Sequence, residues 1–473
     1  MIGRGIRAVH AGLMLLNAGT TFLSLNCNRN KTSGSRSMMP MNPKSALKGV
    51  ILSSLAGLCG NASALDAEQQ LGQLLYVDTN LSLQRNQSCN SCHSLQPVGA
   101  SAVDETNAAA GLVDPENVRD GTAVSKGSVA GKVGRLNAPS VAYARFSPHF
   151  HWDADEQLYI GGQFWNGRAA GLAEQAMGPP LNPVEMAMPS RWAVVTRLKE
   201  NPLYVSRFRE LYKIDLDSIP GNETATADVL PPPGVQEAFE RMANAIAEFE
   251  KSEIISPFTS KYDYVLAGLT DFTELERVGL ELFNSEKSQC SACHPSAPIS
   301  TPDGRYMPPL FTDFSYDNLG LPRNSNIPGD PEPDLGLGGR ADIAAADPKG
   351  QQLGKHKVMG LRNITITAPY MHNGVLSSLE EVVHFYNTRD VKPRACRDIN
   401  DPGFGKDCWP APEVTQNVNA EELGDLGLSA DQERALVAFM KTLTDGYPDW
   451  GNDSRVPPGT PSPYAGVALP PAP

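Results

Sequence analysis

The sequence predicts a mainly α-helical protein with two similar domains and long loops. The first observation is a repeated motif: Cys-Asn-Ser-Cys-His begins at Cys89, and Cys-Ser-Ala-Cys-His begins at Cys290. The second is a repeated helical pattern, because one apolar segment with helical periodicity precedes each motif and another closes each half of the chain. The third is length, since 473 residues exceed one small domain and suffice for two or three.

Each motif has the spacing Cys-x-x-Cys-His of a c-type haem attachment site. Two thiols three residues apart can form thioethers with the vinyl groups of a porphyrin, and the histidine that follows can ligate the iron. A redox dithiol or half a zinc site could explain one motif, but two motifs with no further Cys-x-x-Cys disfavour zinc. We therefore expect two covalent haem c groups, held by Cys89, Cys92 and His93 and by Cys290, Cys293 and His294.

The helix before each motif is predicted from apolar residues on one face. These residues are Leu71, Leu74 and Leu75 in the first half and Val278, Leu282 and Phe283 in the second. The segments around them, Leu-Gly-Gln-Leu-Leu-Tyr and Val-Gly-Leu-Glu-Leu-Phe, indicate an internal repeat.

Each half is also predicted to end in an amphipathic helix. One face carries Phe239, Met242, Ile246 and Phe249 in the first half, and Leu436, Phe439, Met440 and Leu443 in the second. Ser429 and Gln432 match a capping box at the start of the last helix. A helix, a haem motif, loops and a closing helix is the plan of a cytochrome c. We therefore predict two cytochrome c-like domains, residues 65–250 and 251–450, with haems flanking their interface.

The segments between these helices are rich in small residues and turn formers. Residues 96–136 are mostly Gly, Ala, Ser and Val, and residues 324–356 contain Pro, Gly and Asp. Both are predicted to be loops on the surface or near the domain interface. The Pro-rich tail, residues 451–473, is predicted to be extended or disordered.

A cleavable signal peptide is predicted to start at Met41. Two lysines, an apolar run over residues 49–58 and an Ala-Ser-Ala that ends at Ala64 match its charged region, core and cleavage site. Residues 1–40 would be upstream sequence of doubtful reality, and the mature chain would begin at Leu65 in the periplasm. No later stretch is long and apolar enough to span a membrane.

The composition is acidic, with 53 Asp and Glu against 40 Lys and Arg. The leader holds seven of the basic residues and none of the acidic ones, so the exported chain is more acidic still. This charge argues against nucleic acid as a partner and is compatible with a partner protein that has a basic face.

Two cysteines, Cys396 and Cys408, lie outside the leader and both haem motifs. In an oxidising compartment, a pair this close in sequence favours a disulfide that closes a loop. Two free buried thiols are the alternative.

Residues 137–186 bear on whether the haems carry electrons or catalyse, because an enzyme keeps one axial position of the iron open. They include Gln163-Phe-Trp-Asn-Gly-Arg-Ala-Ala and Gly178-Pro-Pro-Leu-Asn-Pro-Val-Glu-Met, and the second half contains Leu361-Arg-Asn-Ile-Thr-Ile-Thr-Ala-Pro-Tyr-Met-His-Asn-Gly. With these motifs in this order, the chain resembles the di-haem bacterial cytochrome c peroxidase family, which includes the MauG proteins, over nearly its whole mature length.

The resemblance implies roles for four residues around the first haem. Glu185 matches a distal glutamate that can move a proton between the two peroxide oxygens, although its loop alone would favour a surface glutamate. Trp165 matches a tryptophan that relays electrons between the haems, and a core tryptophan is the alternative. Gln175 and Pro179 match distal-pocket positions.

The resemblance also implies a calcium ion between the domains. Asn137, Thr367 and Pro369 match its ligands, and side-chain and carbonyl oxygens suit a hard cation. Ordinary loop capping is the alternative role for these residues.

Two departures from typical peroxidases favour the MauG-like branch. Val129 stands where they have a histidine that caps the first haem, and His149 and His151, outside the matching loop, are expected at the surface or interface. Tyr386 stands where typical peroxidases have a methionine ligand and MauG proteins have a tyrosine. The resemblance therefore implies that Tyr386 ligates the second iron, with core packing as the alternative. However, Ser288 falls where MauG has a partner-facing tryptophan, which argues against identity with MauG itself.

We therefore expect a periplasmic di-haem oxidoreductase. The resemblance implies that the haem on His93 activates hydrogen peroxide and that the haem on His294 stores or relays the oxidising equivalent. The electrons would come from a small cytochrome, a copper protein or a dedicated partner whose side chain is oxidised. Plain peroxide detoxification is the enzymatic alternative, and a non-catalytic di-haem electron-transfer protein is the alternative of another class.

Overall fold

The computed structural model describes residues 64–96, 111–300, 306–329 and 332–465. The predicted signal peptide, residues 97–110 of the first long loop and the end of the tail lie outside the described residues.

The described residues are mainly helical, as predicted. The helices are α1 (Ala67–Tyr76), α2 (Cys89–Cys92), α3 (Pro115–Asp120), α4 (Leu172–Ala176), α5 (Arg191–Leu198), α6 (Pro202–Tyr212), α7 (Val235–Glu250), α8 (Lys261–Leu266), α9 (Glu274–Phe283), α10 (Cys290–Cys293), α11 (Ala341–Ala346), α12 (Leu379–Thr388), α13 (Ala430–Lys441) and α14 (Tyr447–Trp450). None of these helices combines the length and the apolar character needed to cross a membrane.

The strands are short and pair two by two. The antiparallel pairs are β1 (His151–Asp153) with β2 (Leu158–Ile160), β3 (Ile299–Ser300) with β4 (Tyr306–Met307), and β5 (Tyr316–Asp317) with β6 (His356–Lys357). The parallel pair is β7 (Arg394–Ala395) with β8 (Cys408–Trp409). Beside this last pair, a disulfide joins Cys396 to Cys408 and closes a loop.

Each half of the chain is built around two helices that cross at a glycine. Where α1 packs on α7, a Cβ atom on Gly72 would lie 1.9 Å from the carbonyl oxygen of Ala245. Where α9 packs on α13, a Cβ atom on Gly279 would lie 2.0 Å from the carbonyl oxygen of Ala435. A side chain would separate backbones this close. Both glycines are the second residues of the repeated segments, so the sequence repeat reflects a repeated helix crossing.

The closing helices bury the faces that their periodicity predicts. All eight predicted residues on α7 and around α13 are buried. Those from α7 belong to a hydrophobic core formed by residues 71–255, and those from the α13 region to a second core formed by residues 262–443. The capping box of Ser429 and Gln432 is present at the start of α13.

The three leucines predicted to share one helix face all lie on α1, but only two of them are buried. The side chain of Leu74 is 39% exposed, whereas Leu71 and Leu75 are buried. The buried face of α1 instead includes Gly72 and Tyr76. The close approach at Gly72 turns this side of the helix inwards, and apolar periodicity does not register a contact made by glycine.

The described part of the tail, residues 451–465, packs against the C-terminal half of the chain. Val456 is 1% exposed and packs with Tyr264 and Tyr447. The Tyr264 hydroxyl also donates to the carbonyl oxygen of Thr460 at 3.1 Å. These contacts hold the extended tail against the C-terminal half.

A buried ion pair links α8 to the rest of the C-terminal core. Both terminal nitrogens of Arg362 donate to Asp263 at 2.9 Å, and the two side chains are 2% and 0% exposed. Arg362 Nε donates to the carbonyl oxygen of Pro309 at 2.9 Å. Nearby, the Tyr143 hydroxyl donates to Asp445 at 2.9 Å, which brings a loop of the first half into the same network.

Asp263→Ala is expected to lower the free energy of unfolding by about 3–5 kcal/mol, because it removes the hydrogen-bonded counter-ion of the buried Arg362 guanidinium. Denaturant unfolding followed by circular dichroism measures the loss. Asp271→Ala is the matched control, since Asp271 pairs with Arg455 at the surface and such pairs contribute about 0–1 kcal/mol. Equal losses in both variants would contradict a special role for the buried pair.

Candidate active site

The first Cys-x-x-Cys-His motif forms one wall of a cavity of about 500 Å³. The Ser91 hydroxyl accepts a hydrogen bond from the Ser88 N–H at 3.0 Å, which starts the single turn of α2. That turn ends at His93, whose N–H donates to the carbonyl oxygen of Cys89 at 2.9 Å. The turn therefore places Cys89, Cys92 and His93 on the same wall.

The protonation states of this wall suit haem c. Cys89 and Cys92 are free thiols, and burial raises the pKa of both, that of Cys92 to about 12. Burial lowers the pKa of His93, which favours the neutral imidazole that ligates iron. Its Nδ1 atom has no hydrogen bond of normal geometry to a described residue. The nearby main chain of Leu112 raises the pKa of His93 and so opposes part of the effect of burial. Two free thiols and an imidazole on one cavity wall fit the covalent attachment of haem c.

The second motif lines a cavity of about 210 Å³. His294 follows α10, and its Nδ1 atom lies 2.7 Å from the carbonyl oxygen of Phe311. This hydrogen bond fixes the ring and leaves Nε2 for a metal. Burial lowers the pKa of His294 to about 4, so the imidazole is neutral. Cys290, Cys293 and His294 thus fit a second haem c.

Glu185 lies on the wall of the first cavity, together with Gln175 and Pro179. Asn182 orients the carboxyl, because its Nδ2 donates to Glu185 Oε1 at 2.5 Å. Burial raises the pKa of Glu185, and the positive charge of Arg168 opposes part of this rise. A carboxyl with a raised pKa can accept a proton and return it.

A further cavity of about 280 Å³ meets the first one at Glu185. The residues that line both are Phe164, Arg168, Pro179, Asn182 and Glu185. The exposed carboxylate of Glu174 lines the outer cavity only, so this space offers small molecules a route from solvent to Glu185.

Trp165 lines both haem cavities. Its Nε1 donates to the carbonyl oxygen of Asn137 at 2.8 Å, and its own carbonyl oxygen accepts from the Lys357 N–H at 2.8 Å. The indole lies edge-on to the His372 ring, with 6.3 Å between centroids. One hydrogen bond thus fixes the indole ring and another fixes the main chain of Trp165 between the cavities.

Next to Trp165 lie two stacked histidines that sequence reasoning missed. The rings of His356 and His372 lie 3.6 Å apart and 8° from parallel. His356 Nε2 lies 3.0 Å from Asp334, and His372 Nε2 lies 2.6 Å from Glu413. Burial lowers the pKa of both histidines and raises that of Glu413 to about 7. His372 belongs to the segment that begins at Leu361, but His356 lies 16 residues before it and is part of no recognisable motif.

A buried lysine also faces both cavities. Lys357 is 7% exposed and donates to the hydroxyl of Ser147 at 2.6 Å and to the carbonyl oxygen of Gly162. Burial lowers its pKa to about 7. Both of its hydrogen-bond partners are neutral, so neither stabilises a positive charge as a carboxylate would.

Tyr386 lies on α12 and lines the second cavity with His294. Burial raises the pKa of its hydroxyl. Met359, Met371 and Met440 line the same cavity. The structure therefore offers both a phenol oxygen and methionine sulfur as a further ligand for the second iron.

The three residues matched to calcium lie together on the wall of the first cavity. Asn137 Nδ2 lies 2.7 Å from the carbonyl oxygen of Pro369, and the Thr367 hydroxyl donates to the carbonyl oxygen of Ile364 at 3.0 Å. A flip of the Asn137 amide would turn its oxygen towards that of Pro369. The oxygen donors suit a hard cation, while the hydrogen bonds as they stand serve loop capping.

Of the remaining sequence positions, Ser288 lines the second cavity, whereas Val129, His149 and His151 line neither cavity. Val129 does not line the first cavity, and His93 is the only histidine among its described lining residues. His149 and His151 are exposed. Ser288 is 3% exposed, so it presents no surface to a partner.

Arg168 and Asn182 are also residues that sequence reasoning left without a role. Both stand inside motifs that it used, one in Gln-Phe-Trp-Asn-Gly-Arg and the other in Pro-Pro-Leu-Asn-Pro-Val-Glu. Asn182 bonds to Glu185 within its own motif, whereas the electrostatic effect of Arg168 on Glu185 depends on how the chain folds between the two motifs.

Residues 66–271 match the family model of the di-haem cytochrome c peroxidases. The chain is 39% identical to the methylamine utilization protein MauG of Paracoccus denitrificans, over 84% of this chain and 93% of that protein. It is 32% identical to the cytochrome c peroxidase Ccp of Escherichia coli, over 66% of this chain and 51% of that protein.

Solved structures give the same relationship. The di-haem peroxidase BthA of Burkholderia thailandensis matches with a TM-score of 0.64 and 28% identity, over 82% of this chain and 87% of that one. A MauG-like protein associated with microbial copper homeostasis matches with a TM-score of 0.53 and 26% identity, over 85% and 95%.

Proposed function

Because this chain belongs to the di-haem cytochrome c peroxidase family, we propose that it is an exported, MauG-like oxidoreductase of the periplasm. It uses hydrogen peroxide as oxidant and takes electrons from a partner protein. That partner is either a substrate whose side chain is oxidised or an electron donor. The protein binds two haem c groups, one on His93 and one on His294, and one calcium ion.

The placement of Tyr386 on the second cavity carries the MauG-like assignment. A phenol oxygen is a hard ligand that favours oxidised iron, whereas methionine favours ferrous iron. The lining of the first cavity supports the same assignment, because its described residues include no histidine opposite His93 that must leave before peroxide binds.

Glu185 is the group that transfers the proton during peroxide cleavage. When bound, the first haem supplies the iron at which the peroxide O–O bond is broken. The Glu185 carboxylate accepts the proton of one peroxide oxygen and returns it to the other, which then leaves as water. Asn182 keeps the carboxylate oriented, and Arg168 keeps part of its population ionised despite burial.

The electron path passes Trp165. Reduction of one hydrogen peroxide to two waters consumes two electrons and two protons. Trp165 lines both cavities, and its large aromatic ring shortens the gap that each electron crosses. Its two hydrogen bonds keep that gap constant.

Ordinary peroxide detoxification is the second candidate, and the three methionines of the second cavity favour it. A methionine ligand would make the second haem a high-potential acceptor for a small cytochrome or copper protein. A non-catalytic carrier is distinguished by spectra, since it would show two six-coordinate haems and no high-spin iron.

Trp165→Phe tests the proposed division of labour. We expect peroxide to react at the first haem as in the wild type, because Glu185 is untouched, while the second haem no longer responds. Stopped-flow spectra resolve the two responses. Trp192→Phe is the matched control, since Trp192 lines neither cavity. A full response of both haems in Trp165→Phe would contradict the relay.

Removal of calcium is expected to perturb the haem spectra and the activity together. Asn137 accepts the Trp165 Nε1 hydrogen bond, so a looser Asn137 also loosens Trp165. Exhaustive chelation followed by spectroscopy measures the effect, and added calcium should reverse it. A protein unaffected by complete chelation would contradict the site.

A further inference from the structure

A chain of aromatic side chains leads from the surface towards Trp165. Trp152 lies on the β1–β2 hairpin and is 47% exposed. Its ring meets Tyr159 edge-on at 4.9 Å, and Tyr159 stacks on Phe150 at 5.2 Å with 6° between planes. Phe150 in turn meets Tyr316 edge-on at 6.0 Å. Each ring is therefore in van der Waals reach of the next.

The inner end of this chain touches the loop that carries Trp165. A Cβ atom on Gly167 would lie 2.1 Å from the Tyr316 hydroxyl and 2.7 Å from Phe150, so that loop packs directly on both rings. Tyr316 also pairs with Lys357 across β5 and β6, and the Lys357 N–H bonds to the Trp165 carbonyl oxygen. The packing is thus continuous to a residue that lines both haem cavities.

The hairpin holds the outer rings in fixed positions. Trp152 and Tyr159 are directly paired across β1 and β2, which sets their contact. The Arg340 guanidinium lies 4.1 Å from the centre of the Phe150 ring and donates to the Gly167 carbonyl oxygen at 2.6 Å. A cation there disfavours positive charge on Phe150. Phe150 therefore bridges its neighbours, and charge rests on the more easily oxidised tyrosines and tryptophan.

Trp152 is also distinct among the tryptophans. The other four in the described part of the chain are buried or half-buried. An exposed indole at the end of an ordered aromatic chain can exchange electrons with a macromolecule that is too large to reach the haems.

We propose that Trp152 is the surface residue through which electrons from a protein partner reach the haem cavities. This rests on the proposed function, because the oxidant is hydrogen peroxide. The Trp152 indole passes one electron inward through Tyr159 and releases its Nε1 proton to water. One electron from the partner and one proton from water restore it. Two such cycles deliver the two electrons that reduce one peroxide to two waters.

The test uses the protein with both haems attached and hydrogen peroxide without any donor. Oxidation should then collect on Trp152 and appear by peptide mass spectrometry as oxygen added to that residue. Tyr159→Leu removes the neighbouring ring and leaves Trp152 exposed, so we expect loss of this oxidation. Trp192→Phe, on α5 and outside the aromatic chain, is the matched control and should retain it.

Haem absorbance in the same samples separates this proposal from the proposed function. A normal haem response with loss of Trp152 oxidation in Tyr159→Leu supports the route. A normal response with equal oxidation in wild type and Tyr159→Leu overturns the route alone, because peroxide in solution would then oxidise Trp152 directly. A wild-type protein whose haems do not respond to peroxide overturns the proposed function and the route with it.

Discussion

Glu185→Gln is expected to slow the reaction of the holoprotein with hydrogen peroxide by about 10²–10⁴-fold, the usual contribution of a general acid–base group. Glutamine keeps the size of the side chain and can still accept the hydrogen bond from Asn182. It cannot accept the peroxide proton. Stopped-flow absorbance of the oxidised protein mixed with peroxide measures the rate.

The pH dependence of the same reaction gives an independent check. Glu185 accepts a proton only when ionised, and burial raises its pKa above that of an ordinary carboxyl. The wild-type rate is therefore expected to be constant at high pH and to fall as pH drops through this raised pKa. Because glutamine does not titrate, Glu185→Gln should lose this dependence.

Glu174→Gln is the matched control for Glu185. Glu174 lines the outer cavity, is exposed, and accepts a hydrogen bond from the Ala170 N–H at 2.8 Å. It does not line the haem cavity, so its loss should leave the rate near that of the wild type. The acid–base role of Glu185 would be contradicted if Glu185→Gln reacted with peroxide as fast as the wild type, or if both variants lost the same fraction of the rate.

The helical plan was predictable because its causes are local. A Cys-x-x-Cys-His motif specifies its own turn, and a run such as that of α7 specifies its buried face. The sequence repeat was predicted, but the helix crossing at its glycines was not. The close contact at Gly72 is made with the backbone of α7, about 170 residues away in sequence. For the same reason, periodicity could not tell which residues of the apolar face of α1 are buried, and Leu74 is exposed.

The site was predictable only where a motif carried it. Glu185 and Trp165 were found through resemblance, since neither residue has a local pattern that distinguishes it from a loop or core residue. Arg168 was missed because its effect on Glu185 arises across a cavity. His356 was missed because its partner His372 comes from another segment, and stacking of two rings leaves no spacing in sequence.

Tyr386→Phe is expected to change the low-spin part of the spectrum and to stop the second haem from sharing the oxidised state. The substitution removes the one side-chain atom that can ligate iron and keeps the ring in the cavity. Tyr370→Phe is the control, because Tyr370 lines both cavities and, among the described residues, its hydroxyl donates to the Thr365 carbonyl oxygen at 3.4 Å. Its spectrum should match that of the wild type.

Met440→Leu tests the alternative ligand of the second iron. Met440 lines the same cavity, and methionine is the kind of ligand that an ordinary peroxidase uses. A hard phenol oxygen favours oxidised iron, so with Tyr386 as ligand Met440→Leu should leave the spectrum unchanged. The same ligand, with no histidine opposite His93 among the described lining residues, means that the oxidised protein should react with peroxide at once. A spectrum altered by Met440→Leu but not by Tyr386→Phe, together with an absolute need for prior reduction, would place this protein among the ordinary peroxidases.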